Sequence, residues 1–208
     1  LIFRSYYAFL RRPMINSKGV DTSILFGFTK TIIELLLKER PTHFAVAFDP
    51  PSKTFRHEIF PEYKANRSET PELIKGALEP LTGIMEAISV PVLMKNGFEA
   101  DDVIGTIAKE AAKEGFTVYM VTPDKDYGQL VSDTVFQYKP GKNGEQSEII
   151  TKEHICNYYS IEKPEQVIDI LTIWGDSSDN IPGVRGVGEV GSKKLINKYK
   201  SVENIYSH

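Results

Sequence analysis

The chain of 208 residues carries 25 Lys and Arg against 28 Asp and Glu, a formal charge of −3, with 41% hydrophobic and 25% charged residues. This is ordinary globular usage, ample for a hydrophobic core, and it excludes disordered and fibrous classes. A single cysteine, Cys156, excludes an internal disulfide framework and a thiolate zinc site, and the four histidines (His43, His57, His154, His208) show no metal-ligand spacing. No apolar run approaches the roughly 20 residues of a membrane span, and Leu1–Arg4 has no basic lead-in, so a cytoplasmic setting without a membrane partner is expected.

In chain order, Ile24, Phe28, Ile32 and Leu35 recur at helical spacing and predict a helix over 22–38. The unbroken run Phe44–Phe48 predicts a strand buried on both faces, ending at Asp49. Residues 52–70 are polar and basic, without apolar period. A helical stretch over 72–88 is interrupted by Pro80, and 91–94 suits a strand. Val103, Ile104, Ile107 and Ala111 predict a helix over 100–113 that stops at Gly115. A strand over 117–121 ends at Asp124, and 135–138 with 148–150 read as a hairpin around Gly141–Gly144. Helices are expected over 151–159, 164–174 and 189–199, with no strand after about 151. Alternating strand and helix predicts an α/β fold, a doubly wound, mainly parallel sheet with helices on both faces. The change near residue 160 divides it into a core, 1–160, and a small helical module, 161–208.

In open α/β sheets ligands bind beyond the carboxyl ends of the strands. Asp49 and Asp124 stand at two such ends, with Asp126 two residues on. Glu99, Asp101 and Asp102 open the helix over 100–113, and Asp176 and Asp179 bracket Ser177-Ser178. Taken singly, each cluster reads as helix capping or turn chemistry. Together, the topology brings the first three to one sheet edge, where packed carboxylates repel unless cations sit among them. An oxygen-only site without His or Cys selects Mg²⁺ or Mn²⁺, and so many acids suit two ions that clamp a phosphodiester. Setting those eight acids aside turns the balance of −3 into +5. The positives form two groups: Lys53, Arg56, Lys64 and Arg67, and Arg185, Lys193, Lys194, Lys198 and Lys200. A metal pocket flanked by basic segments suits a polyanion, although single basic loop residues are usually just solvated.

Gly186-Val187-Gly188-Glu189-Val190-Gly191 matches G-x-G-x-x-G, but neither a preceding strand nor a following βαβ unit is available, so a dinucleotide site is rejected. The better parse is a glycine turn over 183–188 between two helices. It is either a plain connection or a phosphate cradle, and the basic helix behind it favours sequence-independent DNA backbone contact.

Six segments resemble, in order and spacing, the 5′-nuclease domains of bacterial DNA polymerase I, relatives of the flap endonucleases. They are Phe48-Asp49, Phe55-Arg56-His57-Glu58, Tyr63-Lys64-Ala65-Asn66-Arg67, Glu99-Ala100-Asp101-Asp102, Thr122-Pro123-Asp124-Lys125-Asp126, and Gly175 to Val184. The resemblance covers essentially the whole chain. It implies a PIN-like nuclease core followed by a C-terminally incomplete helix-three-turn-helix module of the helix-hairpin-helix type. It implies a structure-selective 5′-3′ exonuclease and 5′-flap endonuclease, hydrolysing DNA by a two-metal mechanism in replication and repair. Asp49, Glu99, Asp101 and Asp102 match first-metal ligands; Asp124, Asp126 and Asp179, with Asp176, match the second-metal group. Residues 52–70 match the arch or clamp over the 5′ strand, within which Lys64 and Arg67 match the pair at the scissile phosphate and Arg56 and Tyr63 match DNA-contacting positions. Gly183, Arg185, Gly186, Gly188, Lys193 and Lys194 match the element that grips duplex DNA, with K⁺ held at the turn over 183–188. Phe3 stands where some relatives stack a 5′ base, though a core aromatic is the plainer reading.

The resemblance further implies a monomer acting on 5′ flaps or nicks, near the bacterial nucleoid, with a polymerase domain in the same polypeptide. The family pattern includes a strand and metal-binding aspartate shortly before the position of Leu1, and extends past His208. No polymerase segment lies within these residues, so no nucleotide polymerisation is expected of them. The competing readings are a PIN-type ribonuclease, a catalytically impaired DNA-binding fragment, and a Mg²⁺-dependent phosphatase.

Overall fold

The computed structural model describes residues 1–141 and 146–208. The elements in order are α1 (Ile2–Phe9), α2 (Ser23–Glu39), β1 (Val46–Ala47), α3 (Phe55–Ile59), α4 (Glu72–Ala87), β2 (Val92–Leu93), α5 (Ala100–Lys113) and β3 (Val118–Val121). There follow a 3₁₀ turn (Lys125–Leu130), β4 (Val135–Lys139), β5 (Glu148–Ile150), α6 (Lys152–Tyr159), a second 3₁₀ turn (Pro164–Gln166) and α7 (Val167–Trp174). The described chain closes with β6 (Gly175–Asp176), β7 (Ile181–Pro182), α8 (Glu189–Tyr199) and α9 (Val202–Tyr206). The chain divides into two compact units, one of residues 1–50 and 68–95, the other of 51–67 and 96–208.

In the first unit, β1 pairs parallel with β2, Val46 opposite Val92. Ile24, Phe28 and Ile32 of α2 and Ile74, Ala77, Leu81 and Met85 of α4 close on Val46 and Phe48. These residues follow i, i+3, i+4 spacing, so each helix buries one stripe. Pro80 does not interrupt α4, which runs through it as one helix. The proline lies on the exposed face, while Leu81 and Met85 beside it are wholly buried and hold the helix together. The sequence gives no signal for α1. Phe3, on that helix, is 50% exposed rather than a core aromatic.

In the second unit, β3 pairs parallel with β4, and β4 antiparallel with β5, Gln137 opposite Ile150. The expected hairpin is therefore present, while its turn at 142–145 lies outside the described residues. Residues 52–70, which have no apolar period, contain the short helix α3. One expectation is corrected: strands recur after 151, as β6 and β7 form a two-residue antiparallel ladder. Its cause is backbone proximity: a Cβ on Gly183 would lie 2.2 Å from the Trp174 carbonyl oxygen, and one on Gly175 2.4 Å from the Gly183 nitrogen. Gly175, at φ +79°, also occupies a left-handed conformation open to glycine.

One apolar core fills this unit. Ala108, Met120, Tyr127, Val135 and Ile150 pack with Ile155, Val167, Ile170, Ile173 and Ile196. The side chains after residue 160 thus complete the core of those before it. Truncating wholly buried Ile196 to Ala is expected to cost about 2–5 kcal/mol. The same substitution should lower hydrogen-exchange protection in β3 and β4 as well as in α8. Loss confined to α8 would mean two independently folded bodies.

Candidate functional site

The site is assembled in the second unit from segments far apart in sequence. The carboxyl end of β3 is fixed by Gln137, a 1% exposed side chain on β4 whose amide donates to the carbonyls of Thr122 (3.0 Å) and Asp124 (2.6 Å). Asp124 is exposed and accepts from the Asp126 amide at 3.0 Å, starting the 3₁₀ turn. Asp126 is thereby folded inward. Its Oδ1 is buried without a hydrogen-bond donor; the nearest cation, the Lys125 ammonium, stands 3.7 Å away. Burial, and then the charges of Asp124, Asp176 and Asp179, push its pKa up to about 6.

At the start of α5, the Asp102 carboxylate accepts the Glu99 amide at 2.9 Å, so the plain helix-capping reading holds for this pair. Asp102 is also gripped by both terminal nitrogens of Arg56, at 2.7 and 2.8 Å. That guanidinium holds Asp102 below the ordinary carboxylate range, against the opposing effect of burial. Asp101 turns to the hydroxyl of Tyr127, 2.6 Å away.

The segment 62–67 lies against the loop 177–180. The Lys64 amide donates to the Asp179 carbonyl at 2.9 Å, and the Arg67 Nε to that of Ser178 at 3.1 Å. Two side-chain amides cross reciprocally, Asn66 to the Ser177 carbonyl (2.7 Å) and Asn180 to that of Glu62 (2.8 Å). This clasp holds Lys64 at φ +56° and Asn180 at φ +58°. The Lys64 ammonium meets Glu99 at 2.7 Å and the Arg67 guanidinium meets Asp179. Between them the Tyr63 hydroxyl stands 3.1 Å from Glu99 and 3.0 Å from Asp179. Burial, and then the Glu99 charge, drive the Tyr63 pKa far upward, so the group is a neutral donor throughout the working pH range. Asp176 accepts from the Lys125 ammonium at 2.7 Å and from the Ser178 amide at 2.8 Å. Burial acts to raise its pKa, but these hydrogen bonds prevail and hold it at about 2.

The predicted residues are therefore partly gathered and partly reassigned. Glu99, Asp102 and Asp179 meet Arg56, Lys64 and Arg67 in one network, joined by Tyr63. Tyr63 is 6% exposed and both terminal nitrogens of Arg56 are engaged, so in this structure both side chains position carboxylates. Asp49, after β1, belongs to the other unit, and its assignment rests on sequence alone. Gly183 serves close backbone packing, whereas Gly186 (φ +82°) and Gly188 have open space around them. Lys193 is tied to Glu189 at 2.7 Å and lies 3.7 Å over the Tyr158 ring, so it packs α8 onto α6. Lys125, part of the Thr122–Asp126 motif but given no role by the sequence, is the cation of the Asp126–Asp176 side.

Among the described residues, no three His, Cys, Asp or Glu side chains stand close enough to hold a metal ion. Glu99, Asp102, Asp176 and Asp179 are instead turned to cations. The donor chemistry still suits a hard divalent ion. It is all oxygen, and Asp126 keeps a buried carboxylate oxygen that no hydrogen-bond donor satisfies.

Comparison with known proteins adds an independent finding. Residues 1–160 match the family model for the 5′-3′ exonuclease N-terminal resolvase-like domain, and 162–208 that for the 5′-3′ exonuclease C-terminal SAM fold. The chain is 41% identical over 205 residues to DNA polymerase I of Mycobacterium tuberculosis, covering 99% of this chain but 23% of that protein. It is 37% identical over 204 residues to a 5′-3′ exonuclease of Aquifex aeolicus, covering 98% of this chain and 68% of the relative. In fold it matches a T5 5′-exonuclease with bound zinc, at a TM-score of 0.78 and 24% identity over 99% of this chain and 74% of that one.

The raised Asp126 pKa has a signed consequence. With a folded value near 6 against about 3.9 unfolded, the native state binds more protons between those pH values, so this group's contribution to stability falls as pH rises through that window. In metal-free buffer, Asp126→Asn should therefore be more stable than wild type at pH 8, with the advantage vanishing below pH 4. Urea unfolding at the two pH values measures it, and equal differences at both would contradict the shift.

Proposed function

The chain belongs to the 5′-3′ exonuclease family, and on that premise we propose that it is a structure-selective DNA 5′ nuclease whose working centre is the acid–cation network of the second unit. The observation that carries this reading is the Tyr63 hydroxyl, which links Glu99 and Asp179 from two remote clusters at 3.1 and 3.0 Å. The family assignment supports the chemistry. Because the chain spans 23% of the length of its DNA polymerase I relative, the activity and partners of any larger protein belong to the proposal.

Glu99 and Asp101 would hold one Mg²⁺ or Mn²⁺, and Asp124, Asp126, Asp176 and Asp179 a second. Two such ions, when bound, stabilise the charge on the attacking and leaving oxygens of a phosphodiester. Lys64 and Arg67 are held beside these acids by backbone contacts with residues 178 and 179, and a scissile phosphate offers them the same charge as the carboxylates they now meet. Arg56 fixes Asp102, which in turn caps α5 and fixes Glu99. In this assignment residues 1–160 form the PIN-like core, with 52–70 as its clamp, and 161–208 grip the duplex through Arg185, Lys194 and the open turn at Gly186 and Gly188. The carbonyls of that turn suit K⁺. Among the described residues no helix is long and apolar enough to cross a membrane, which fits a cytoplasmic monomer acting on 5′ flaps or nicks beside a polymerase domain.

The deciding assay is cleavage of a 5′-flap DNA with Mg²⁺ and with EDTA, alongside a matched single-stranded RNA. We expect Mg²⁺-dependent cutting near the flap junction and little action on RNA; a preference for RNA would replace this reading with a ribonuclease. Asp126→Asn should lower the cleavage rate by about a hundredfold or more while sparing DNA affinity, because it removes a ligand and a repulsive charge together. Lys64→Ala should lower kcat by about 10²–10³ with a smaller rise in Kd, and the reverse split would make Lys64 a simple phosphate anchor.

A further inference from the structure

Beside the acid–cation network a pocket of about 600 Å³ opens under the segment 60–66, lined by Phe60, Glu62, Asn66, Lys125, Trp174 and Asn180, with the β6–β7 turn as its floor. The glycine turn at Gly186 and Gly188 does not use it, and of the acids assigned to the two ions only Asp176 lines it. Trp174 is half-buried at the end of α7, and the Lys125 ammonium lies 5.2 Å from its ring centre. The same Lys125 is paired with Asp176 at 2.7 Å, so it offers little free charge to an incoming anion. Glu62 and Asp176 add negative charge to the wall.

The pocket is thus unsuited to a phosphate and suited to the uncharged, flat part of a nucleotide. Phe60 and Trp174 bring two aromatic rings to the lining, one face of Trp174 being taken by the Lys125 ammonium. The Asn66 and Asn180 amides each direct one N–H to a backbone carbonyl, which leaves their oxygen and second N–H for a base edge. We propose that this pocket receives one unpaired nucleobase of the strand being cut, stacked on Trp174, and so helps select DNA whose strand is locally open beside the scissile phosphate. The inference rests on the nuclease reading above. It extends that reading from how the backbone is cut to how an unpaired base is held.

Trp174 is the only tryptophan of the chain, so its emission reports this pocket directly. A 5′-flap DNA is titrated in EDTA while binding is followed separately by anisotropy of an end label. A series of flaps carrying one abasic residue at successive positions is measured in the same way. Binding should quench Trp174 emission, and the quench should disappear for an abasic residue at one position next to the cleavage site. Trp174→Ala should weaken binding of the intact flap about tenfold, while leaving that abasic flap unaffected. Trp174→Phe, which restores a ring, should recover most of the affinity. Binding by anisotropy with unchanged emission, or a quench indifferent to every abasic position, overturns the pocket assignment and leaves the nuclease reading standing. Absence of DNA binding by anisotropy sinks both.

Discussion

Mutual repulsion among carboxylates is the constraint around which the second unit is organised. Glu99, Asp102, Asp126, Asp176 and Asp179 come from three distant stretches of chain, and bringing them into one region carries a Coulomb cost that water only partly screens. The protein offsets it with cations delivered from 56–67 and from Lys125, each seated on a carboxylate. Tyr63 contributes without charge, sharing one proton between two acids. Asp126 is the carboxylate left least compensated, and its pKa is raised first by burial and then by the neighbouring acids. The short helix α3, the left-handed Lys64 and the crossed asparagine amides all serve to keep the cations where the acids require them.

Part of this was legible in the sequence because it is local. The stripe of Ile24, Phe28 and Ile32 defined α2, and the bounds of α5 followed from its apolar spacing and from Gly115. Asp124 and Asp126 were found because a buried strand delivers whatever follows it to a sheet end. Other features have no local signature. A pair such as Arg67 with Asp179 spans more than a hundred residues, and nothing near either residue announces the other. Nothing in the sequence near Lys125 assigns it a role, and only the placement of Asp176 gives it one.

Tyr63, Arg56 and Lys193 carry chemistry suited to a DNA surface, and such chemistry is equally suited to holding carboxylates and covering rings. Gly183 resembles a member of a phosphate-binding turn, but its missing Cβ is needed for the approach of one backbone to another. Residue type stated what these positions are able to do, and burial decided which capacity is used. Pro80 is the converse case. Its local propensity against helix is overridden by the packing of Leu81 and Met85.

The shared core of the second unit also sets an order of events during synthesis. The stretches that form the first unit end at residue 95. The apolar faces of α5, β3 and β4 must wait for Ile170 and Ile196 before they are covered. At translation rates of roughly 5–20 residues per second, the hundred residues from 96 to 196 leave those faces uncovered for about 5–20 s. A nascent chain of this design therefore leaves those apolar faces open to solvent and to chaperones before they can close, and acquires its full acid–cation network only near the end of that interval.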